Sequence, residues 1–440
     1  MKTVLVVPTA LGKSIPQTKW QQPLGVTYIA ACIKQISDVS IIDCNLDENY
    51  ENRLIKEINT TDQIIVGFST NSYTYSESLR LAKLVKRSNP NVHITFGGYH
   101  ATPLAKQVLI NRDFVDSVVR GDGEIPFREL VTSLSLGNDF SKVRSLTFRK
   151  EGIIVSNPNA PLPELDMLPF PARDLLQLDE CLSNFKDSLF HKKYNISRIF
   201  YVSANRGCPN KCNFCSIFNK ELRTRDTAMI VDEIEYLINK YKADSIYLVG
   251  DNLNADKDWF LSFCRTIINR GVNIKWICAT MNPILINNEI ISMMEKSGCI
   301  RATISFESGS QKMLDALNKR RSMHRSKQTA NILKSSDIDV VATFVLGAPG
   351  ESEETLSNTV DFIKISHFNA CQASILSPLP GSGIFYNMLN IYPQYNNSDF
   401  IDLSCLQEKY ICNYCDTDFA RIRQVREEIS RLSIESMDLF

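Results

Sequence analysis

Short apolar runs alternate with helical periodicity from the first residues onward. The runs 2–7, 39–43, 63–68, 92–96 and 115–119 have the length and β-branched content of strands. Between them, Val26, Ile29, Ala30 and Ile33 share one face of a helix over 24–36, and Leu79, Leu81, Leu84 and Val85 mark another over 75–87. Five βα units in this length predict an α/β fold with an open, doubly wound parallel sheet. Its ligand-binding segments lie at the carboxyl ends of the strands, near 8–12, 69–73, 97–100 and 120–124. A β-hairpin is expected over 144–156, turning at Gly152. Pro158, Pro161, Pro163, Pro169 and Pro171 follow and read as a stiff linker between domains.

The alternation then resumes. Strands are expected at 198–204, 245–250, 274–279, 301–306, 338–346 and 370–376, separated by helices near 227–241, 256–270, 287–297, 310–335 (in two pieces) and 352–366. Six βα units are too few for a closed eight-stranded barrel, so an open or partial barrel is expected, with its active site at the carboxyl ends of the strands. The expected organisation is a Rossmann-like domain over 1–140, a hairpin and linker over 141–194, a partial barrel over 195–390 and a helical C-terminal extension over 391–440.

The chain has 440 residues, enough for two or three domains. Its 49 basic and 49 acidic residues balance, which gives no electrostatic footprint for nucleic acid or an anionic membrane. No apolar run reaches the roughly 18 residues a membrane span needs. The N-terminus lacks a long apolar segment and a small-residue cleavage site, so a cytoplasmic protein is expected. Thirteen cysteines without a secretory signal read as thiols or metal ligands rather than disulfides.

The chemistry concentrates in Arg206-Gly207-Cys208-Pro209-Asn210-Lys211-Cys212-Asn213-Phe214-Cys215, directly after the first strand of the six-unit series. Three thiols at these spacings can converge on one side of a loop and ligate an iron–sulfur cube, leaving one iron open to a substrate or cofactor. A zinc knuckle or three unrelated thiols are the alternatives. Cys-x3-Cys-x2-Cys with an aromatic before the last cysteine resembles the signature of the radical S-adenosylmethionine (SAM) superfamily. The resemblance implies a partial (β/α)6 barrel and a [4Fe–4S] cluster on Cys208, Cys212 and Cys215. It further implies SAM chelated to the open iron, one-electron cleavage of SAM to a 5′-deoxyadenosyl radical, and Phe214 beside the adenine.

Further elements resemble the family in order along the barrel. Gly250-Asp251-Asn252 is similar to the acidic site for the SAM ammonium, with Asn252 where relatives carry a second acid; a carboxylate suits a cation. Glu307-Ser308-Gly309-Ser310 is similar to an element near the SAM ribose and carboxylate. Leu346-Gly347-Ala348-Pro349-Gly350 resembles the glycine-rich stretch by the adenosine, and Pro378-Leu379-Pro380-Gly381 the turn that closes the adenine pocket. Where relatives often carry an arginine after the third strand, this chain has Met281.

The domain ahead of the barrel resembles the cobalamin-binding domain of the B12-dependent members of this superfamily. The similarity lies in Pro23 to Ala30, Gly67-Phe68-Ser69-Thr70, Gly97-Gly98-Tyr99-His100 and Arg120-Gly121-Asp122-Gly123-Glu124. Gly97 and Gly98 would let backbone approach a flat macrocycle, Thr70 and Glu124 would supply hydrogen bonds, Gly121 shares the same edge, and His100 either hydrogen-bonds near the ligand or simply sits in the loop. The Asp-x-His-x-x-Gly element that provides a lower axial histidine elsewhere is absent, so no histidine is expected to ligate cobalt. Cys412 and Cys415, with Cys405 nearby, are weighed as a further metal site and lack an evident fourth ligand.

These resemblances imply a cobalamin-dependent radical SAM methyltransferase acting on an unactivated carbon of a small-molecule or natural-product substrate. Cofactors would be the [4Fe–4S] cluster, SAM and cobalamin, and the partner a one-electron donor such as flavodoxin or ferredoxin. The alternatives are a non-methylating rearrangement or cyclisation, and a non-catalytic iron–sulfur or corrinoid carrier. A methylthiotransferase acting on tRNA is disfavoured by the neutral charge. No catalytic side chain is assigned.

Overall fold

The computed structural model describes residues 1–10, 12, 16–137, 139–400 and 404–432. They fall into two compact units. The first comprises Met1–Asn184 with Leu379–Gly381 and Leu389–Asp402, and the second Phe185–Pro378 with Ser382–Met388 and Leu403–Phe440.

The first unit is built on β1 (Lys2–Val7), β2 (Asp38–Asp43), β3 (Ile64–Ser69), β4 (His93–Gly97) and β5 (Ser117–Val119), all parallel, in the order β2-β1-β3-β4-β5. Val4, Val6, Ile42, Ile65, Val66 and Ile94 are buried, as expected of strands covered on both faces by helices. The order reverses at β1, so the loops after β1 and β3 flank the crevice where such sheets bind ligands.

Two further strands, β6 (Leu146–Lys150) and β7 (Ile153–Ser156), extend this sheet antiparallel to β5. Glu151 and Gly152 both have positive φ, 52° and 82°, the backbone a two-residue hairpin turn of type I′ requires. The expected hairpin therefore exists and belongs to the sheet. The proline-rich segment, expected as a spacer, packs into the same unit instead. The amide of Ala172 donates to the carbonyl of Thr27 at 3.0 Å, and Leu165, Ala172 and Arg173 are buried. Proline stiffness sets the path of this segment, and its apolar side chains dock it.

The second unit carries β8 (Ile199–Arg206), β9 (Arg223–Thr224), β10 (Ser245–Gly250), β11 (Lys275–Met281), β12 (Cys299–Glu307), β13 (Asp339–Leu346) and β14 (Ala370–Ile375), in the order β14-β13-β12-β11-β10-β8-β9. All pairs are parallel except β8 with β9. Six parallel strands match the expected six βα units. Strand β9 is two residues long and carries no hydrophobic period, so sequence patterning does not reveal it.

The described part of residues 391–440 is packed rather than detached. Ile422, Val425 and Ile429 form the buried face of the helix Phe419–Arg431, which packs on β14 and supplies the helix of the sixth βα unit. Between β14 and that helix, residues 389–402 belong with the first unit.

Candidate functional site

The second unit's candidate site starts where β8 ends. Gly207, at φ 84°, turns the chain out of the strand; a β-carbon there would collide with the carbonyl oxygen of Glu221. The carboxylate of Asp251 accepts from the Gly207 amide at 2.6 Å, and Asn252 Nδ2 lies 3.7 Å from Cys208 Sγ as a donor. The loop after β10 therefore holds the start of the cysteine loop. The loop's far side is tied to residues 316–318. The Asn213 amide donates to the Leu317 carbonyl at 3.2 Å, Asn213 Nδ2 to the Ala316 carbonyl at 2.9 Å, and Asn318 Nδ2 to the Lys211 carbonyl at 2.6 Å.

Cys208 is buried, while Cys212 and Cys215 are half-buried. Burial pushes the Cys215 thiol up, only partly offset by a backbone hydrogen bond at Ile217 and the nearby Lys220 ammonium. Thiolates are the ligands an iron–sulfur cluster takes, and three thiols on one loop supply that donor set. Among the described residues, no three His, Cys, Asp or Glu side chains stand close enough to hold a single metal ion, this loop and the Cys412–Cys415 pair included. Cys412 is exposed, Cys415 Sγ donates to the Ala348 carbonyl at 3.2 Å, and the Cys405 side chain lies outside the described residues.

Beside Cys208 two buried acceptors stand open. Asn252 Oδ1 and Asn205 Oδ1 have no hydrogen-bond partner among the described residues, and Asn205 Nδ2 donates to the Asn252 carbonyl at 2.9 Å. Buried acceptors without donors are costly, and an ammonium with its three N–H bonds would satisfy them. Open carbonyl oxygens of this kind are acceptors an ammonium can use, whereas one oxygen of Asp251 is committed to the loop backbone.

Glu307 closes β12 at φ 63°, a left-handed conformation for a side-chain-bearing residue. It is buried and ion-paired to Lys319, Nζ to Oε1 at 2.7 Å, and Lys319 Nζ sits 5.2 Å from the centroid of the Phe214 ring. Burial lowers the Lys319 pKa, but Glu307 and Cys212 outweigh it and hold the ammonium above its usual range. Lys319, Arg321, Lys211 and Arg320 line a cavity of about 120 Å³ with Cys212. Lys319 and Asn205 are not among the residues expected from sequence. Asn205 is detectable as a polar residue at the end of an apolar strand; Lys319, twelve residues beyond Glu307, carries no local signal.

Ser308 is buried and used internally, its hydroxyl 3.1 Å from Thr359 Oγ1 and accepting from the Ser310 amide at 3.1 Å. Gly347, at φ 84°, donates its amide to Glu351 Oε2 at 3.1 Å, and a β-carbon there would lie 2.8 Å from Ile411 Cδ1. Its glycine is thus required by protein packing on that side. Pro378 is buried and Leu379 half-buried in the loop after β14.

In the first unit, the loops after β3, β4 and β5 are locked together. Thr70 donates to the Gly97 carbonyl through its amide at 2.8 Å and its hydroxyl at 2.7 Å. Gly98, at φ 95°, presses against the Thr70 backbone too closely for any side chain, and the Gly121 amide donates to Thr102 Oγ1 at 3.1 Å. Glu124 is buried at the start of the helix Glu124–Ser135.

Of the two readings of His100, its contacts support the loop residue. It is 1% exposed, stacks on Tyr75 at 4.1 Å, and both ring nitrogens are engaged, Nδ1 with Ser72 Oγ at 3.1 Å and Nε2 with the Asp399 carbonyl at 2.9 Å. Burial lowers its pKa to about 4, so the ring is neutral and structural. Asp399 also accepts from Tyr75 Oη at 3.0 Å and pairs with Arg112 at 2.7 Å, latching residues 397–399 onto this unit. Around these loops Tyr73 and Tyr99 are 59% and 46% exposed. Flat exposed rings beside a loop system free of side chains at Gly97 and Gly98 fit a planar macrocycle.

Residues 202–363 match the family model of the radical SAM superfamily, and residues 20–131 match the B12 binding domain. The chain is 27% identical over 394 residues to an uncharacterized methyltransferase of Pyrococcus horikoshii, covering 88% of this chain and 82% of that protein. It is also 27% identical over 376 residues to the anaerobic magnesium-protoporphyrin IX monomethyl ester cyclase of Rubrivivax gelatinosus, covering 83% and 66%. Among solved structures, the radical S-adenosylmethionine methyltransferase TsrM from Kitasatospora setae, with cobalamin and a [4Fe–4S] cluster bound, shares the fold at a TM-score of 0.73. The identity is 15%, over 89% of this chain and 78% of that one.

Proposed function

We propose that this chain, a radical SAM superfamily protein with a B12-binding domain ahead of its barrel, methylates an unactivated carbon of a small molecule in a cobalamin-dependent reaction. The observation that carries the proposal is the Cys208–Cys215 loop set beside the open acceptors Asn205 Oδ1 and Asn252 Oδ1, on a chain that also contains the B12-binding domain. When bound, the reduced cluster and SAM supply a carbon-centred radical that removes a hydrogen atom, and cobalamin supplies the methyl group.

Cys208, Cys212 and Cys215 hold the cluster in this reading. Asn252 and Asn205 receive the SAM ammonium, Phe214 and the loops after β13 and β14 border the nucleoside, and Glu307 with Lys319 lies beside them. Thr70, Gly97, Gly98, Gly121 and Glu124 shape the corrinoid site on the first unit, without a histidine ligand. Holding the reacting groups in place and excluding water is the protein's contribution. The electron comes from a donor such as flavodoxin or ferredoxin, and the proposed setting is the cytoplasm, where such donors are found. Among the described residues, no helix is long and apolar enough to cross a membrane.

A second reading, radical cyclisation without methyl transfer, is favoured by the similarity to the cyclase. Product analysis separates the two. A methyltransferase forms S-adenosylhomocysteine and 5′-deoxyadenosine with its substrate, and a cyclase only the latter. A protein that forms neither from any substrate, with cluster and cobalamin loaded, refutes both.

A further inference from the structure

One helix of the C-terminal segment, Ser404–Tyr414, grips two of the barrel's exit loops. At its start, Gln407 Nε2 donates to the carbonyls of Ile375 and Leu376, each at 2.9 Å, and lies 3.1 Å from Ser377 Oγ. At its end, the Tyr414 carbonyl accepts from the Gly350 amide at 2.7 Å, and the Asp416 amide just beyond donates to the Glu351 carbonyl at 2.8 Å. In its middle, Ile411 packs on Gly347. The two loops joined this way are those leaving β13 and β14, and the Leu376 amide donates to the Leu346 carbonyl at 2.8 Å to link them further.

We propose that Gln407 is a positioning residue for the nucleoside end of SAM. The inference rests on the proposed function, which places that end between Gly347 and Pro378. A primary amide has two N–H bonds and can serve two carbonyls at once. Gln407 uses both on consecutive residues at the end of β14, one turn of chain before Pro378. The side chain itself need not touch SAM; it fixes the backbone that does. A pocket wall held by a helix from outside the six strands is tuned by that helix, so residues 404–416 set SAM affinity without contributing a ligand.

The test uses reconstituted full-length protein with cluster and cobalamin loaded, and isothermal titration with SAM. Gln407→Glu keeps the shape, but its carboxylate only accepts, facing two carbonyls. Gln407→Lys restores a donor. The proposal expects about tenfold weaker SAM binding for Gln407→Glu at unchanged iron and cobalamin content, and affinity within about threefold of wild type for Gln407→Lys. Unchanged affinity in Gln407→Glu overturns it. Equal loss in both variants also overturns it, because donation is then not what matters. Wild-type protein that binds no SAM overturns the proposed function itself and takes this inference with it, a result distinct from a defect confined to the variants.

Discussion

His100 gives the sharpest stability prediction. The ring is buried and neutral, with its pKa lowered from 6.5 to about 4 by burial. A histidine with a depressed folded-state pKa stabilises the fold fully above its unfolded value, and the contribution is lost as pH falls from 6.5 through 4. At roughly 1.4 kcal/mol per pH unit, the displacement is worth about 3 kcal/mol. A glutamine in its place would keep hydrogen-bonding groups for Ser72 and the Asp399 carbonyl but cannot take up a proton. His100→Gln should therefore flatten the acid dependence of first-unit stability by about 3 kcal/mol between pH 6.5 and 4. His93, also lowered to about 4 by burial, remains in both proteins and cancels in the comparison. Hydrogen exchange of the amides over 93–104 measures the local stability directly. Nuclear magnetic resonance titration of the His100 ring checks the premise. A ring that titrates near 6.5, or a variant with the same acid slope as wild type, refutes the reasoning.

Two other perturbations follow from the same structure. Asp43 is buried at the end of β2 with its pKa raised to about 6 by burial, which hydrogen bonds from Asn45 only partly offset. The stability of its protonated form is lost as pH rises through 6, so Asp43→Asn should stabilise the first unit at pH 8 by up to about 3 kcal/mol, read from denaturant unfolding. Gly207→Ala should displace the cysteine loop, because the added carbon meets the Glu221 carbonyl and φ 84° disfavours alanine. Iron analysis after anaerobic reconstitution should fall from about four atoms per chain toward none, while cobalamin binding is kept. Full iron loading would contradict it.

Much of the architecture was legible because parallel strands covered on both faces are continuous apolar runs, as in Val4 to Val6 and Ile64 to Val66. The cysteine loop was legible because its chemistry sits within ten consecutive residues. What escaped depends on distant partners. Nothing local distinguishes a proline-rich spacer from one docked through Leu165 and Ala172. The helix Phe419–Arg431 reads as a polar amphipathic tail until Ile422, Val425 and Ile429 are seen against β14. His100 stands in a loop where a ligand is expected, yet its partners Tyr75 and Asp399 come from opposite ends of the chain. Lys319 meets Glu307 only because the helix Gln311–Ala316 folds back between them.

In the proposed function, Cys208, Cys212 and Cys215 hold the cluster that cleaves SAM. The most direct measurement compares wild type with a protein carrying Cys208→Ala, Cys212→Ala and Cys215→Ala together, both reconstituted anaerobically with iron and sulfide. Each is incubated with SAM and a low-potential reductant, and 5′-deoxyadenosine is quantified beside the iron–sulfur absorption near roughly 400 nm. Absorption and 5′-deoxyadenosine are expected in wild type, neither in the variant, and cobalamin binding in both, since residues 20–131, which match the B12 binding domain, lie in the first unit. A variant that keeps a reducible cluster and still cleaves SAM would contradict that function.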